Sequence, residues 1–199
     1  MRFYNFISVI LHPMVIPTIG VLLYFFAIPS PLLQDQKFAV LCLVFAGTYL
    51  IPLCMLFLFK KLKFIDSYKA NTIKERKVPV AIMIVLFYLL GNTFSNVPNL
   101  RDLSFLFYGT SLGLFSIYIL FLFKFKTSIH LLSLGIATSF FIILNNQHAF
   151  NFIWIVVICF MLSGVLGSAR LHLKAHTSKE VYLGYFLGFL SPVVLFYML

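Results

Sequence analysis

The chain has 199 residues, of which 62% are hydrophobic and 10% are charged, and its formal net charge is +10. A soluble domain is roughly half hydrophobic, so this composition excludes an ordinary soluble protein and indicates an integral membrane protein. The positive charge alone would suit nucleic acid. The basic residues lie between apolar runs and form no basic domain, however, so anionic lipid headgroups are the better partner.

Seven apolar runs predict an all-α bundle of about seven transmembrane helices, folded as a single domain over residues 1–199. Most runs approach the roughly 20 residues that cross a bilayer. All Asp, Glu, Lys and Arg residues lie outside the runs, where they avoid a cost of about 2.5 to 3.5 kcal/mol each at a helix centre. The third run is the shortest and the weakest prediction. The runs cover residues 3–28, 38–59, 80–97, 103–123, 128–145, 150–167 and 181–199.

The distribution of charge predicts the orientation. If all seven runs cross, the N-terminus and the loops after the second, fourth and sixth runs share one side. That side carries every basic residue except Lys37 and Arg101. The positive-inside rule places it in the cytoplasm of a cell membrane. We therefore expect a cytoplasmic N-terminus and a C-terminus outside.

The first run contains His12, Pro13 and Pro17. Proline removes a helix hydrogen bond, so we predict a kinked helix here. A histidine within a membrane span is by default a candidate for a functional site. His12 has no carboxylate near it in the sequence, and we favour the interpretation that it is a packing residue.

Residues 60–79 form the longest polar segment, which we interpret as a loop. Its lysines at 60, 61 and 63 read as a solvated basic patch that attracts lipid headgroups. Lys69 and Arg76 are seven positions apart, with six residues between them. In a helix this is two turns, so the two cations could share one face.

The fifth run opens with Lys126, Thr127, Ser128 and His130. Thr127 or Ser128 is a suitable N-cap for the helix that follows. The exposed amides at a helix N-terminus bind phosphate groups well. This segment is therefore a candidate anion site, with Lys126 as an added cation.

The segment between the sixth and seventh runs places Arg170, His176 and Glu180 in the order A-R-x5-H-x3-E. If the chain is helical near His176, Glu180 lies one turn further on the same face. Its carboxylate could then accept a hydrogen bond from one ring nitrogen and leave the other basic. Two other histidines fall outside this pattern: we interpret His148 as a solvated loop residue and His172 as a surface or supporting residue.

These three segments resemble, in order, the three signature motifs of the type 2 phosphatidic acid phosphatase superfamily. Lys69 and Arg76 match K-x6-R-P, Ser128 and His130 match P-S-G-H, and the last segment matches S-R-x5-H-x3-D. The small-residue spacing of Gly184 and Gly188 also fits the helix that follows the third motif. The positions that depart from the family's residues are Lys77, Thr127, Ile129, Ala169 and Glu180.

The resemblance covers residues 69 to about 190 and implies that this part is the catalytic core of a lipid phosphatase. It implies that His176 attacks phosphorus, that Glu180 orients His176, and that His130 acts as acid and then base. It further implies a set of phosphate-binding residues: Lys69, Arg76, Ser128 and Arg170, with Lys126 in support. We expect no metal and no cofactor, since the acidic residues on this side are too few and scattered for a carboxylate metal site.

Two other functions stay open. The departures from the motifs could have removed turnover and left a protein that only binds lipid phosphates. A small transporter would need polar groups within the membrane and repeated halves. The sequence has no internal repeat and almost no polar residue at the middle of a run, so we rank the transporter third.

Overall fold

The computed structural model describes residues 1–67, 72–148 and 152–198. Within these ranges the chain is built from helices and has no strand, as predicted. A π-helical turn at Ala46–Leu50 joins α3 to α4, and a short 3-10 turn at Pro98–Leu100 precedes α6. The helices are α1 Arg2–Ile10, α2 Ile16–Ala27, α3 Gln34–Phe45, α4 Ile51–Lys61, α5 Ile73–Ser95, α6 Arg101–Leu122, α7 Ile129–Gln147, α8 Ile153–His172 and α9 Ser178–Met198.

Among the described residues, six helical segments are long and apolar enough to cross a membrane, so the protein is a multi-pass membrane protein. The first of these runs continuously through α3, the π-helical turn and α4 as Gln34–Lys61. The other five correspond to α5 through α9. The prediction of a polytopic helix bundle is thus confirmed.

The first apolar run forms two helices rather than one kinked helix, and that part of the prediction is wrong. α1 and α2 have 9 and 12 residues, or about 14 and 18 Å at 1.5 Å per residue. Pro13 lacks an N–H and disfavours helical backbone at His12, which explains the break. Pro17 lies at the start of α2, where its fixed φ suits a helix.

The third run, the weakest prediction, belongs to a full-length helix. α5 begins at Ile73, inside the segment interpreted as a loop, and has 23 residues. Its start is a capping box: the Thr72 hydroxyl accepts from the Glu75 N–H, and the Glu75 carboxylate accepts from the Thr72 N–H. These seven additional residues give α5 the length to span a bilayer.

α7 is the central helix of the bundle, with 72% of its apolar window buried against 50% or less for the other spans. It packs along α9 through glycines on both helices. A Cβ on Gly184 would lie 2.5 Å from the carbonyl oxygen of Ser128, and one on Gly188 would collide with the backbone of Leu132. Small residues let two membrane helices approach this closely, and the approach brings the start of α7 beside the start of α9.

The opposite end of the bundle is held by a polar cluster. His148 Nε2 lies 2.9 Å from Asp102, and the Tyr24 hydroxyl donates to the same carboxylate at 3.2 Å. The interpretation of His148 as a solvated residue without a charged companion is therefore wrong. Asp102 is distant in sequence from both partners, so only the fold reveals the contact, which ties together α2, α6 and α7.

Candidate functional site

His176 lies in the connection before α9, not within a helix as the spacing suggested. Thr177 is the N-cap of α9, and its hydroxyl accepts from the Glu180 N–H at 3.4 Å. The Glu180 carboxylate reaches back to the Thr177 N–H at 3.3 Å and to His176 Nδ1 at 2.6 Å. The contact between His176 and Glu180 is thus the expected one, but a capping box creates it.

The His176 side chain is almost fully buried, with 1% of its surface exposed. Burial lowers the pKa of His176 to about 4, and the charges of Arg170, Arg76 and Lys126 also lower it. The hydrogen bond that His176 donates to Glu180 acts in the opposite direction. The ring is therefore neutral at pH 7. Its Nδ1–H donates to the carboxylate, which leaves the lone pair of Nε2 for chemistry.

Three cations surround this ring. Arg170 comes from the last turn of α8 and Arg76 from the first turn of α5. Lys126, between α6 and α7, donates to the carbonyl of Ala175 at 3.4 Å. Burial and the neighbouring Arg76 lower the pKa of Lys126. The concentration of positive charge makes this end of the bundle suited to an anion.

The start of α7 contributes buried polar groups. Ser128 occupies the N-cap position as predicted, but its hydroxyl makes no capping bond. Thr127 and Ser128 are fully buried. Four buried atoms at this end have no hydrogen-bond partner among the described residues: Thr127 Oγ1, Ser128 Oγ, His130 Nε2 and Arg170 Nε. Buried polar atoms are normally satisfied. His130 and Arg170 line the cavity at this end, so their two atoms are available to a polar ligand there, whereas Thr127 and Ser128 do not line it.

Five of the predicted residues line one cavity of about 680 Å³: Arg76, Lys126, His130, Arg170 and His176. Glu180 lies behind His176, and the Ser128 N–H donates to the backbone carbonyl of Glu180 at 3.1 Å. The remaining predicted residue, Lys69, lies outside the described residues.

Below its charged end the cavity is mainly apolar. α2, α4, α5, α6 and α7 provide its walls, and Phe140 and Phe141 lie at its far end. From His130 to these rings the distance along α7 is roughly 16 Å at 1.5 Å per residue. The cavity can therefore take an elongated apolar group attached to an anion.

The N-terminal segment also lines the cavity, which the sequence did not indicate for Ser8 or Asn5. The rings of His12 and His130 meet edge to face with centroids 5.0 Å apart. The presence of a histidine in an apolar run was the available signal for His12. The ring of His172, by contrast, packs at a tilt on the ring of Tyr4, with centroids 4.2 Å apart. His172 is not among the residues that line the cavity.

Comparison with protein-family models, curated proteins and solved structures finds no match to this chain. Among residues 1–67, 72–148 and 152–198, no three His, Cys, Asp or Glu side chains cluster as metal ligands would.

Proposed function

We propose that this protein is a membrane lipid phosphatase that hydrolyses a phosphate ester of a lipid through a phosphohistidine on His176. The observation that carries the proposal is a neutral, buried His176. Its ring is hydrogen-bonded to Glu180 and surrounded by Arg76, Lys126 and Arg170. It lies at the charged end of a cavity whose interior is apolar. The motif resemblance to the type 2 phosphatidic acid phosphatases supports the same chemistry.

In the first step the lone pair of His176 Nε2 forms a bond to phosphorus, and the bond from phosphorus to the lipid oxygen breaks. His130 enters this step with both ring nitrogens protonated and gives one of these protons to the departing oxygen, which leaves its ring neutral. Its Nε2 has no hydrogen-bond partner among the described residues, so this atom is the one available for proton transfer. In the second step His130 takes a proton from water, the water oxygen attacks phosphorus, and inorganic phosphate leaves His176.

The three cations offset the charge that develops on the phosphate oxygens, which is the main requirement of phosphoryl transfer. Arg170 can bind two oxygens with its planar fork, whereas Lys126 acts as a point charge. Glu180 holds the tautomer of His176 and stabilises the positive ring as it forms.

The apolar part of the cavity supports a substrate with a hydrocarbon tail. With the cytoplasmic orientation proposed from the charge bias, phosphatidic acid or phosphatidylglycerol phosphate suit the site better than isoprenoid diphosphates. Anionic headgroups would gather at the same face because of its lysines.

A protein that binds lipid phosphates without turnover is the second candidate. One observation favours it: the Ser128 N–H is engaged by the backbone of Glu180, so it is not available to a phosphate. Ile129 also stands where the resemblance places a glycine.

The test is phosphate release by purified protein in detergent, with chelator present, on a panel of lipid phosphates. We expect wild type to release phosphate and His176→Ala to release none. His172→Ala is the matched control, since this histidine does not line the cavity, and it should stay close to wild type. Phosphate release by His176→Ala would contradict the mechanism. Loss of wild-type activity on adding chelator would contradict it as well. A wild type that binds these lipids but hydrolyses none would favour the binding protein.

A further inference from the structure

α1 covers one side of the charged end of the cavity. It packs on α8, and its outward side exposes Phe3 and Phe6 at 65% and 62%. Ser8 lies on the inward side and is buried, with 8% of its surface exposed. This residue is distant in sequence from every motif described above.

Ser8 contacts the site through its side chain. Arg170 Nη1 donates to its hydroxyl at 2.7 Å, and Ser8 lines the same cavity as His130. The hydrogen bond links α1 to the end of α8. One small residue thereby holds a cation of the site in place.

The bond to Nη1 determines which side of the Arg170 fork is available. Nε is buried and has no hydrogen-bond partner within the part of the chain that the structure describes. With Nη1 held by Ser8, the edge formed by Nε and Nη2 remains for two oxygens of a phosphate. A guanidinium binds such an anion best through two parallel N–H groups, so its rotation has to be fixed.

We propose that Ser8 is a positioning residue of the phosphate site, whose hydroxyl orients the Arg170 fork. The inference rests on the proposed function for its kinetic consequences. It extends that function to the N-terminal helix α1, which contains none of the three motifs, and makes α1 part of the site.

Three variants at Ser8 separate the hydroxyl from the shape of the side chain. Ser8→Thr keeps the hydroxyl, Ser8→Val has the shape of threonine without it, and Ser8→Ala removes it. Loss of a supporting partner typically costs about 10- to 100-fold. We therefore expect kcat/KM to fall by at least about 10-fold in Ser8→Ala and Ser8→Val, mainly through KM, and to stay near wild type in Ser8→Thr.

Ser111→Ala is the matched control. Ser111 is also buried, and its hydroxyl donates to the carbonyl of Ile84 on another helix at 2.9 Å. It does not line the cavity, so its loss should leave kcat and KM unchanged. In an Arg170→Ala background, Ser8→Ala should have little further effect, because the group that the hydroxyl orients is absent.

Binding of inorganic phosphate, read as a rise in melting temperature, separates this inference from the proposed function. If wild type hydrolyses no lipid but phosphate stabilises it more than Ser8→Ala, the phosphatase is wrong and the role of Ser8 stands. If wild type hydrolyses lipid and Ser8→Ala matches Ser111→Ala in both assays, Ser8 has no positioning role. Equal values for Ser8→Thr and Ser8→Val would overturn the inference in the same way.

Discussion

Glu180 has two tasks that are separable by mutation. Its carboxylate completes the capping box of α9 and accepts a hydrogen bond from His176. Glutamine can serve a capping box as well as glutamate does. A glutamine amide has no negative charge, however, and cannot stabilise the positive ring that forms when His176 attacks.

We predict that Glu180→Gln lowers kcat by about 10- to 100-fold and leaves lipid binding and melting temperature nearly unchanged. The matched control is Glu75→Gln, which alters the equivalent capping box of α5 with Thr72. Glu75 also acts electrostatically on Arg76 of the site, so we expect the kcat of Glu75→Gln to fall, but by less than that of Glu180→Gln. An equal loss of rate in both variants would assign Glu180 a capping role only.

The pH dependence of the rate follows from the pKa of His176, which burial lowers to about 4 from an ordinary value of 6.5. The ring stays neutral, and so nucleophilic, as the pH falls from 7 towards 4, and is protonated only below that. Removing the Glu180 carboxylate removes an effect that raises this pKa. We therefore expect an acid limb well below pH 6.5 in wild type and at still lower pH in Glu180→Gln.

The measurement is the ratio of the two rates across pH, because the ionisation of the substrate cancels in it. We expect the ratio to change only well below pH 6.5. A change in the ratio centred near pH 6.5 would mean that His176 titrates as an ordinary histidine. The neutral nucleophile would then be wrong.

At the scale of helices, the contact between α7 and α9 sets the distance between His130 and His176. Gly184 lies against the backbone of Ser128, and a Cβ there would be 2.5 Å from the carbonyl oxygen. Since the obstacle is backbone rather than a flexible side chain, a methyl group has to push the two helices apart.

We predict that Gly184→Ala destabilises the protein by about 1 to 3 kcal/mol, as overpacking does, and lowers the rate. The control is Gly164→Ala on α8, where a Cβ would meet nothing within 4 Å. That variant should keep the wild-type melting temperature and rate. Unfolding by detergent and phosphate release measure the two effects. Equal stability of the two variants would show that the helices do not approach this closely.

The helices differ in how far the sequence predicted them. Six spans follow from the segregation of charge, which is a strong and local signal. The first run was predicted as one kinked helix because its apolar length was given more weight than the helix-breaking His12-Pro13 pair. The capping boxes at Thr72 and Thr177 are visible in the sequence as T-x-x-E. This pattern predicts the starts of α5 and α9. The sequence could not predict the contact of Ser8 with the site, because its hydrogen-bond partner Arg170 is 162 residues away.

For the whole molecule, one end carries the site and most of the charge. α4, α6 and α8 all end there, each followed by a lysine at positive φ: Lys63, Lys124 and Lys174 at 59°, 60° and 52°. Glycine is the usual residue at such a position. A lysine there adds a cation beside the carbonyl end of the helix dipole, which adds to the positive charge of the proposed cytoplasmic face.

The long cavity predicts a dependence on the substrate's tail. Ala137 lines the cavity between His130 and Phe140, so Ala137→Phe should obstruct a tail without touching the charged end. We expect kcat/KM to fall about 10-fold or more for a lipid phosphate, the scale of a few lost methylenes. Hydrolysis of a short aryl phosphate should be unchanged, and it serves as the internal control. Equal losses on both substrates would mean that the tail does not enter the bundle.

The central claim is that phosphate passes through a covalent bond to His176. The most direct measurement mixes the protein with a lipid phosphate labelled in its phosphate group, stops the reaction in alkaline denaturant to preserve phosphohistidine, and locates the label by mass spectrometry. We predict label on His176 in wild type and none in His176→Ala. When a labelled activated aryl phosphate replaces the lipid, we predict more label in His130→Ala than in wild type, because attack then needs no acid while water is no longer activated. Sustained hydrolysis by wild type with no label on His176, or with label on another residue, would contradict the account.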